Sequence, residues 1–259
     1  MQALNSLLDL LAALRDPERG EPWHQAQDFS SIAPCTIEEA YEVADAIERH
    51  NMGDLCAELG DLLLQVIYHA QLAGEKGLFT FADVVAALDR KLRAREVLGS
   101  RADVTAEGHA RRWRQAKFHE QLSATGKEQS SLLDHIPLSQ PALGRAQKLQ
   151  NRAAMVGFDW TDVRDVLKKI MEEISELEAE MQGDRVLSAI SHELGDVLFA
   201  CVNLARHLRI DAEAALRSAN HRFEQRFRYI EDRLRERDLT PGQVSLDELE
   251  RLWEEAKKQ

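Results

Sequence analysis

The sequence predicts an all-α protein built by tandem duplication of one helical-bundle unit. Three observations carry this. Apolar residues recur at helical spacing nearly throughout, strand-like alternation is absent, and one acidic signature occurs twice in the same order. The signature reads Glu38-Glu39-x-x-Glu42 then Glu58-x-x-Asp61, and again Glu172-Glu173-x-x-Glu176 then Glu193-x-x-Asp196.

Along the chain, Leu4, Leu7, Leu8, Leu11 and Leu14 mark a first amphipathic helix, which Asp16-Pro17-Glu18-Arg19-Gly20-Glu21-Pro22 ends in a loop. Two acidic helices follow, carrying Glu38, Glu39 and Glu42 and then Glu58 and Asp61. Gly74-Glu75-Lys76-Gly77 closes the second of them. Lys91-x-x-x-Arg95 and Trp113-Arg114-Gln115-Ala116-Lys117 complete the first copy, and the polar stretch from Ser123 to Ser131 reads as an interdomain linker. The expected division is therefore an amino-terminal domain 1–122, a linker 123–131 and a carboxy-terminal domain 132–259. The second copy repeats the order: the E-L-G-D tetrad returns at Glu193 to Asp196, the basic pair as Arg222-x-x-x-Arg226, and the tryptophan segment as Trp253-Glu254-Glu255-Ala256-Lys257.

Composition narrows the function classes. With 44% hydrophobic and 30% charged residues and only six prolines, the 259-residue chain reads as globular and helix-rich. A net charge of −12 argues against non-specific binding to nucleic-acid backbones or anionic membranes, and leaves free nucleotides as possible ligands. Cys35, Cys56 and Cys201 form no C-x-x-C pair, so neither a disulfide framework nor a zinc site is expected. The amino terminus lacks a basic signal-peptide start, and no apolar run approaches the roughly 20 residues that span a bilayer, so a cytoplasmic protein is expected.

Each signature crowds five carboxylates onto two helices. Like charges four apart destabilise a helix by roughly 0.2–0.5 kcal/mol per pair, so a compensating cation is expected. Glu38 and Glu42 stack on one helix face, as do Glu172 and Glu176, while Glu193 and Asp196 share a face with Val197, Ala200 and Leu204. Packed antiparallel, two such helices converge carboxylate oxygens on one cavity, a donor set that suits Mg²⁺, with Mn²⁺ possible. A lone E-x-x-E is ordinarily a solvated face; the repeat, followed by basic residues, argues against that here. Arg222 and Arg226, one turn apart, can clamp phosphate oxygens, and Lys169 lies four residues before Glu173 on the same face. Trp253 can stack on a base or pin its helix to the core.

These features, together with Pro22-Trp23, Leu133-Asp134-His135-Ile136-Pro137, Pro141-Ala142-Leu143, Ala146-Gln147-Lys148, Gly157-Phe158-Asp159-Trp160 and Asn203-Leu204-Ala205-Arg206-His207, resemble the MazG family of the all-α nucleoside triphosphate pyrophosphohydrolases. The resemblance covers nearly the whole chain. It implies Mg²⁺-dependent hydrolysis of NTPs and dNTPs to the monophosphate and pyrophosphate by a homodimer of broad base tolerance. It further implies that Glu172, Glu173, Glu176, Glu193 and Asp196 supply metal ligands and position water, while Lys169, Arg222, Arg226 and Trp253 contact nucleotide. The first half departs from the family pattern: its Lys91-Leu92-Arg93-Ala94-Arg95 runs into Glu96-Val97-Leu98-Gly99 where H-P-H-V-F is usual, and Cys35 stands at the position matching Lys169. The carboxy-terminal domain is therefore the expected catalytic one, and Glu38, Glu39, Glu42, Glu58 and Asp61 form a secondary cluster. Two rivals differ in class. A di-iron bundle would need E-x-x-H on helices, which occurs only at Glu21-Pro22-Trp23-His24, in a proline-marked turn. A non-enzymatic helical adaptor with acidic faces for a basic partner is the alternative.

Overall fold

The computed structural model describes residues 2–97, 108, 131–134, 136–183 and 185–258. Among these, every regular element is helical. Residues 113–117, residues 123–130 of the expected linker, and His135 lie outside the described residues. The chain divides into two compact units, Met1–Glu120 and Gln121–Gln259.

The first unit contains α1 (Gln2–Leu14), α2 (Pro22–Gln25), α3 (Phe29–Glu48), α4 (Met52–Glu75) and α5 (Phe81–Val97). Between α1 and α2 the chain folds back so tightly that a Cβ on Gly20 would lie 2.4 Å from the Leu14 carbonyl oxygen, which only glycine tolerates. Asp28 caps α3 by accepting from the backbone of Ser30 and Ser31, and the Ser31 hydroxyl accepts from the Asp28 N–H in return. Asn51 caps α4 through the N–H groups of Gly53 and Asp54. His50, at φ 55°, turns the chain between these helices. Arg49 ties the turn by bonding Asp45 at 2.7 Å and Asp54 at 2.9 Å. The resulting α3–α4 hairpin packs along its length, and α1 and α5 contact α4. Leu11, Ile32, Ile67, Tyr68 and Leu72 form the core, with Leu4, Leu8, Phe29 and Phe81 against it.

A half-buried ion pair sits beside that core. Arg15 donates to both carboxylate oxygens of Glu75 at 2.7 Å, and also to the Tyr68 hydroxyl and the His24 carbonyl. It thereby joins the end of α1 and the α2 turn to the end of α4.

The second unit contains α6 (Ala142–Ala154), α7 (Val163–Gln182), α8 (Leu187–His207), α9 (Ala212–Arg235), a short 3₁₀ turn (Pro241–Gln243) and α10 (Leu246–Ala256). Asp162, Asp211 and Ser245 cap α7, α9 and α10. The α7–α8 turn again uses a left-handed residue, Arg185 at φ 53°. Two glutamines fasten α6 across the bundle: Gln147 donates to the Ile210 carbonyl at 2.9 Å, and Gln150 to the Phe199 carbonyl at 2.8 Å. Asp159 accepts from Arg206 and pairs with His207, fixing the loop before α7 to the end of α8. Ile230, Leu234 and Leu252 bury the contact between α9 and α10, with Leu239, Val244, Leu249 and Trp253 around them.

Candidate metal and nucleotide site

In the second unit, the inward face of α7 runs through Val166, which is 1% exposed, and two turns later reaches Glu173, at 8%. Glu193 and Asp196 lie on α8, seven and four residues before the buried Ala200. Because α7 and α8 pack as a hairpin, one oxygen from each of Glu173, Glu193 and Asp196 falls within 4.8 Å of the others. That is the spacing at which carboxylates can share one hard cation. Glu172 and Glu176 are exposed and flank the trio, with the charge of Glu173 acting on Glu176. Partial desolvation, and then Glu173, push the Glu176 carboxyl above its ordinary value.

Lys169 contacts the same group. Its ammonium lies 2.6 Å from Glu172 and 2.9 Å from Glu173, and these hydrogen bonds, with Glu172 contributing most, hold its pKa well above the ordinary lysine value. The lysine therefore remains charged in any ordinary buffer.

The first unit reproduces the acidic geometry. Oxygens of Glu39 on α3 and of Glu58 and Asp61 on α4 also lie within 4.8 Å of one another. Its electrostatics differ. Desolvation first, then the charges of Glu42 and Asp61, raise the Glu39 carboxyl above its ordinary value; desolvation and Glu42 do the same to Glu58. Half-buried Cys35 stands where the second unit has its ammonium.

Among the basic and aromatic candidates, Arg222 on α9 is exposed and donates to the Ser218 hydroxyl at 2.7 Å. The Arg226 guanidinium sits 5.5 Å from the centre of the Trp253 ring, and Phe223 packs on that ring at 5.3 Å. Trp253 also packs on the Ile230, Leu234 and Leu252 cluster, so it pins α10 to α9 while holding Arg226 over its face.

Two neighbours of these clusters escape sequence reading. His192 lies one turn before Asp196, its ring nitrogen 3.9 Å from that carboxylate. Gln65, buried on α4, directs its amide nitrogen at Glu39 from 3.4 Å. The available signal for Gln65 was its spacing, four residues after Asp61 and seven after Glu58, on an otherwise apolar stripe.

A family model for the MazG nucleotide pyrophosphohydrolase domain matches residues 27–97 and 162–230, one copy on each acidic hairpin. The chain is 47% identical over 263 residues to a nucleoside triphosphate pyrophosphohydrolase of Escherichia coli (strain K12), covering 100% of this chain and 98% of that protein. It is 39% identical over 254 residues to the nucleoside triphosphate pyrophosphohydrolase/pyrophosphatase MazG of Thermotoga maritima, covering 97% of this chain and 94% of that one. A nucleoside triphosphate pyrophosphohydrolase of Mycobacterium tuberculosis is 36% identical over 156 residues, covering 59% of this chain and 46% of that protein.

Proposed function

The chain belongs to the MazG nucleotide pyrophosphohydrolase family, and from that premise we propose Mg²⁺-dependent hydrolysis of nucleoside and deoxynucleoside triphosphates to the monophosphate and pyrophosphate, with broad base tolerance. Full-length likeness to enzymes of this class sets aside the adaptor alternative. The observation that carries the assignment to the second unit is the convergence of Glu173, Glu193 and Asp196 beside an ion-paired Lys169.

The donor set is all carboxylate oxygen, which fits Mg²⁺ and also Mn²⁺. A cation bound there supplies charge neutralisation of the triphosphate and a more acidic water. Glu173, Glu193 and Asp196 would hold it, and Glu172 and Glu176 would complete the site from its exposed edge. One of these flanking carboxylates takes the proton of the attacking water. Lys169 exchanges its carboxylate partners for a phosphate oxygen as substrate enters, while Arg222 and Arg226 grip the remaining phosphates and oppose the charge that develops on the pyrophosphate. Trp253 and the Arg226 held over it border the nucleotide. In this reading the first unit, with Cys35 in place of the lysine, does not turn over substrate.

A homodimer is part of the same proposal. Leu167 and Met171 on α7 and Leu194, Leu198 and Phe199 on α8 are large apolar side chains left exposed, area that pairing with a second copy would bury. No helix among the described residues is long and apolar enough to cross a membrane, and a cytoplasmic location belongs to the same proposal.

The test is direct. Asp196→Ala and Glu176→Ala should each abolish pyrophosphate release from a triphosphate while leaving the helical circular dichroism unchanged. Retained turnover in either variant overturns the assignment of that carboxylate.

A further inference from the structure

Gln65 is out of place as a core residue. It is 7% exposed, and it shares the face of α4 that carries Glu58 and Asp61. Its Nε2 lies 3.4 Å from Glu39 Oε1, a long contact that puts the amide at the edge of the Glu39, Glu58 and Asp61 group. Its Oε1 is buried and has no hydrogen-bond partner among the described residues. Leaving such an oxygen unsatisfied is destabilising, which the long contact from the other end of the amide offsets poorly. A half-turn about the terminal torsion exchanges nitrogen for oxygen and would present an acceptor, in place of a donor, to the acidic group. In the register of the E-L-G-D tetrads, the matching position of the second unit is Ala200, buried and without a donor atom.

We propose that Gln65 supplies a fourth oxygen to a divalent-cation site formed with Glu39, Glu58 and Asp61, which makes the amino-terminal cluster a resident metal site closed by protein. The carboxy-terminal cluster, with Ala200 in that place, leaves the corresponding position to water or phosphate. Carboxylates supplemented by a neutral amide oxygen are an ordinary donor set for hard cations. The inference rests on the reading that the acidic clusters hold divalent metal, and it assigns the first unit a binding role independent of turnover.

The experiment is a Mn²⁺ titration of the full-length protein without nucleotide, followed by calorimetry and by electron paramagnetic resonance of the free ion. Glu58→Gln/Asp61→Asn should remove one class of bound ion, and Glu193→Gln/Asp196→Asn another. Gln65→Met, similar in length and apolar, should weaken the first class about tenfold or more and leave the second unchanged. Gln65→Glu, which restores an oxygen, should bind at least as tightly as the native chain, and it carries the test if the methionine variant melts early. If the Glu58/Asp61 variant loses its ion but Gln65→Met binds normally, or if Gln65→Glu loses the ion, the role of Gln65 is overturned while the metal reading stands. If neither double variant changes Mn²⁺ uptake, the metal reading fails and takes this proposal with it.

Discussion

Lys169 and Cys35 occupy matching positions in the two copies, and that single difference separates their electrostatics. In the second unit an ammonium lies among the carboxylates; in the first, desolvation and then Glu42 and Asp61 raise the Glu39 carboxyl above its ordinary value with no cation beside it among the described residues. Lys169→Met should therefore raise the KM for triphosphate by roughly ten- to a hundredfold, the worth of a charge-assisted bond to phosphate, without reducing Mn²⁺ affinity. Steady-state kinetics alongside a metal titration check both halves of that statement. Arg15 has a different, structural role. Its side chain is 6% exposed and doubly bonded to Glu75, which retains 34%. Arg15→Met should cost about 2 kcal/mol in urea unfolding, the worth of hydrogen bonds to a charged group, because the carboxylate left behind can still reach water.

At the scale of elements, two helical hairpins do the positioning. Each is closed by a left-handed residue that is not glycine, His50 in one and Arg185 in the other. These turns were not read from the sequence, because arginine carries no bias toward positive φ and the enrichment of histidine there is too small to mark a single residue. The helices themselves were legible from apolar spacing. Closure of α10 onto α9 depends partly on Glu248, which bonds Arg237 at 2.6 Å and Arg251 at 2.9 Å. Those bonds, Arg251 first, lower its pKa from 4.5 to about 2. A depressed carboxylate contributes stability that is present above the unfolded value and is lost as pH falls through the folded one. Glu248→Gln should accordingly flatten the loss of melting temperature between pH 4.5 and about 2, by a small amount because the pair is solvent-screened. An unchanged slope would show that the pair does not couple to unfolding.

For the whole molecule, duplication followed by divergence predicts unequal halves. In the full-length protein, Glu193→Gln/Asp196→Asn should eliminate hydrolysis, whereas Glu58→Gln/Asp61→Asn should leave most of it. Comparable losses in both would mean that the first cluster participates in turnover. The sequence alone determined the all-helical class and the duplication, and it displayed the carboxylates of the candidate site, because helical periodicity and paired carboxylates are local patterns that survive without coordinates. Only the tertiary structure decided which acids meet. Glu173, Glu193 and Asp196 converge while Glu172 and Glu176 remain at the exposed edge, since helix packing turns just one face of α7 toward α8. It also decided that Trp253 is anchored on the α9–α10 core with Arg226 over its ring, and that Gln65 is buried beside Glu39. Contacts of this kind join residues far apart in the chain, and no local pattern specifies them.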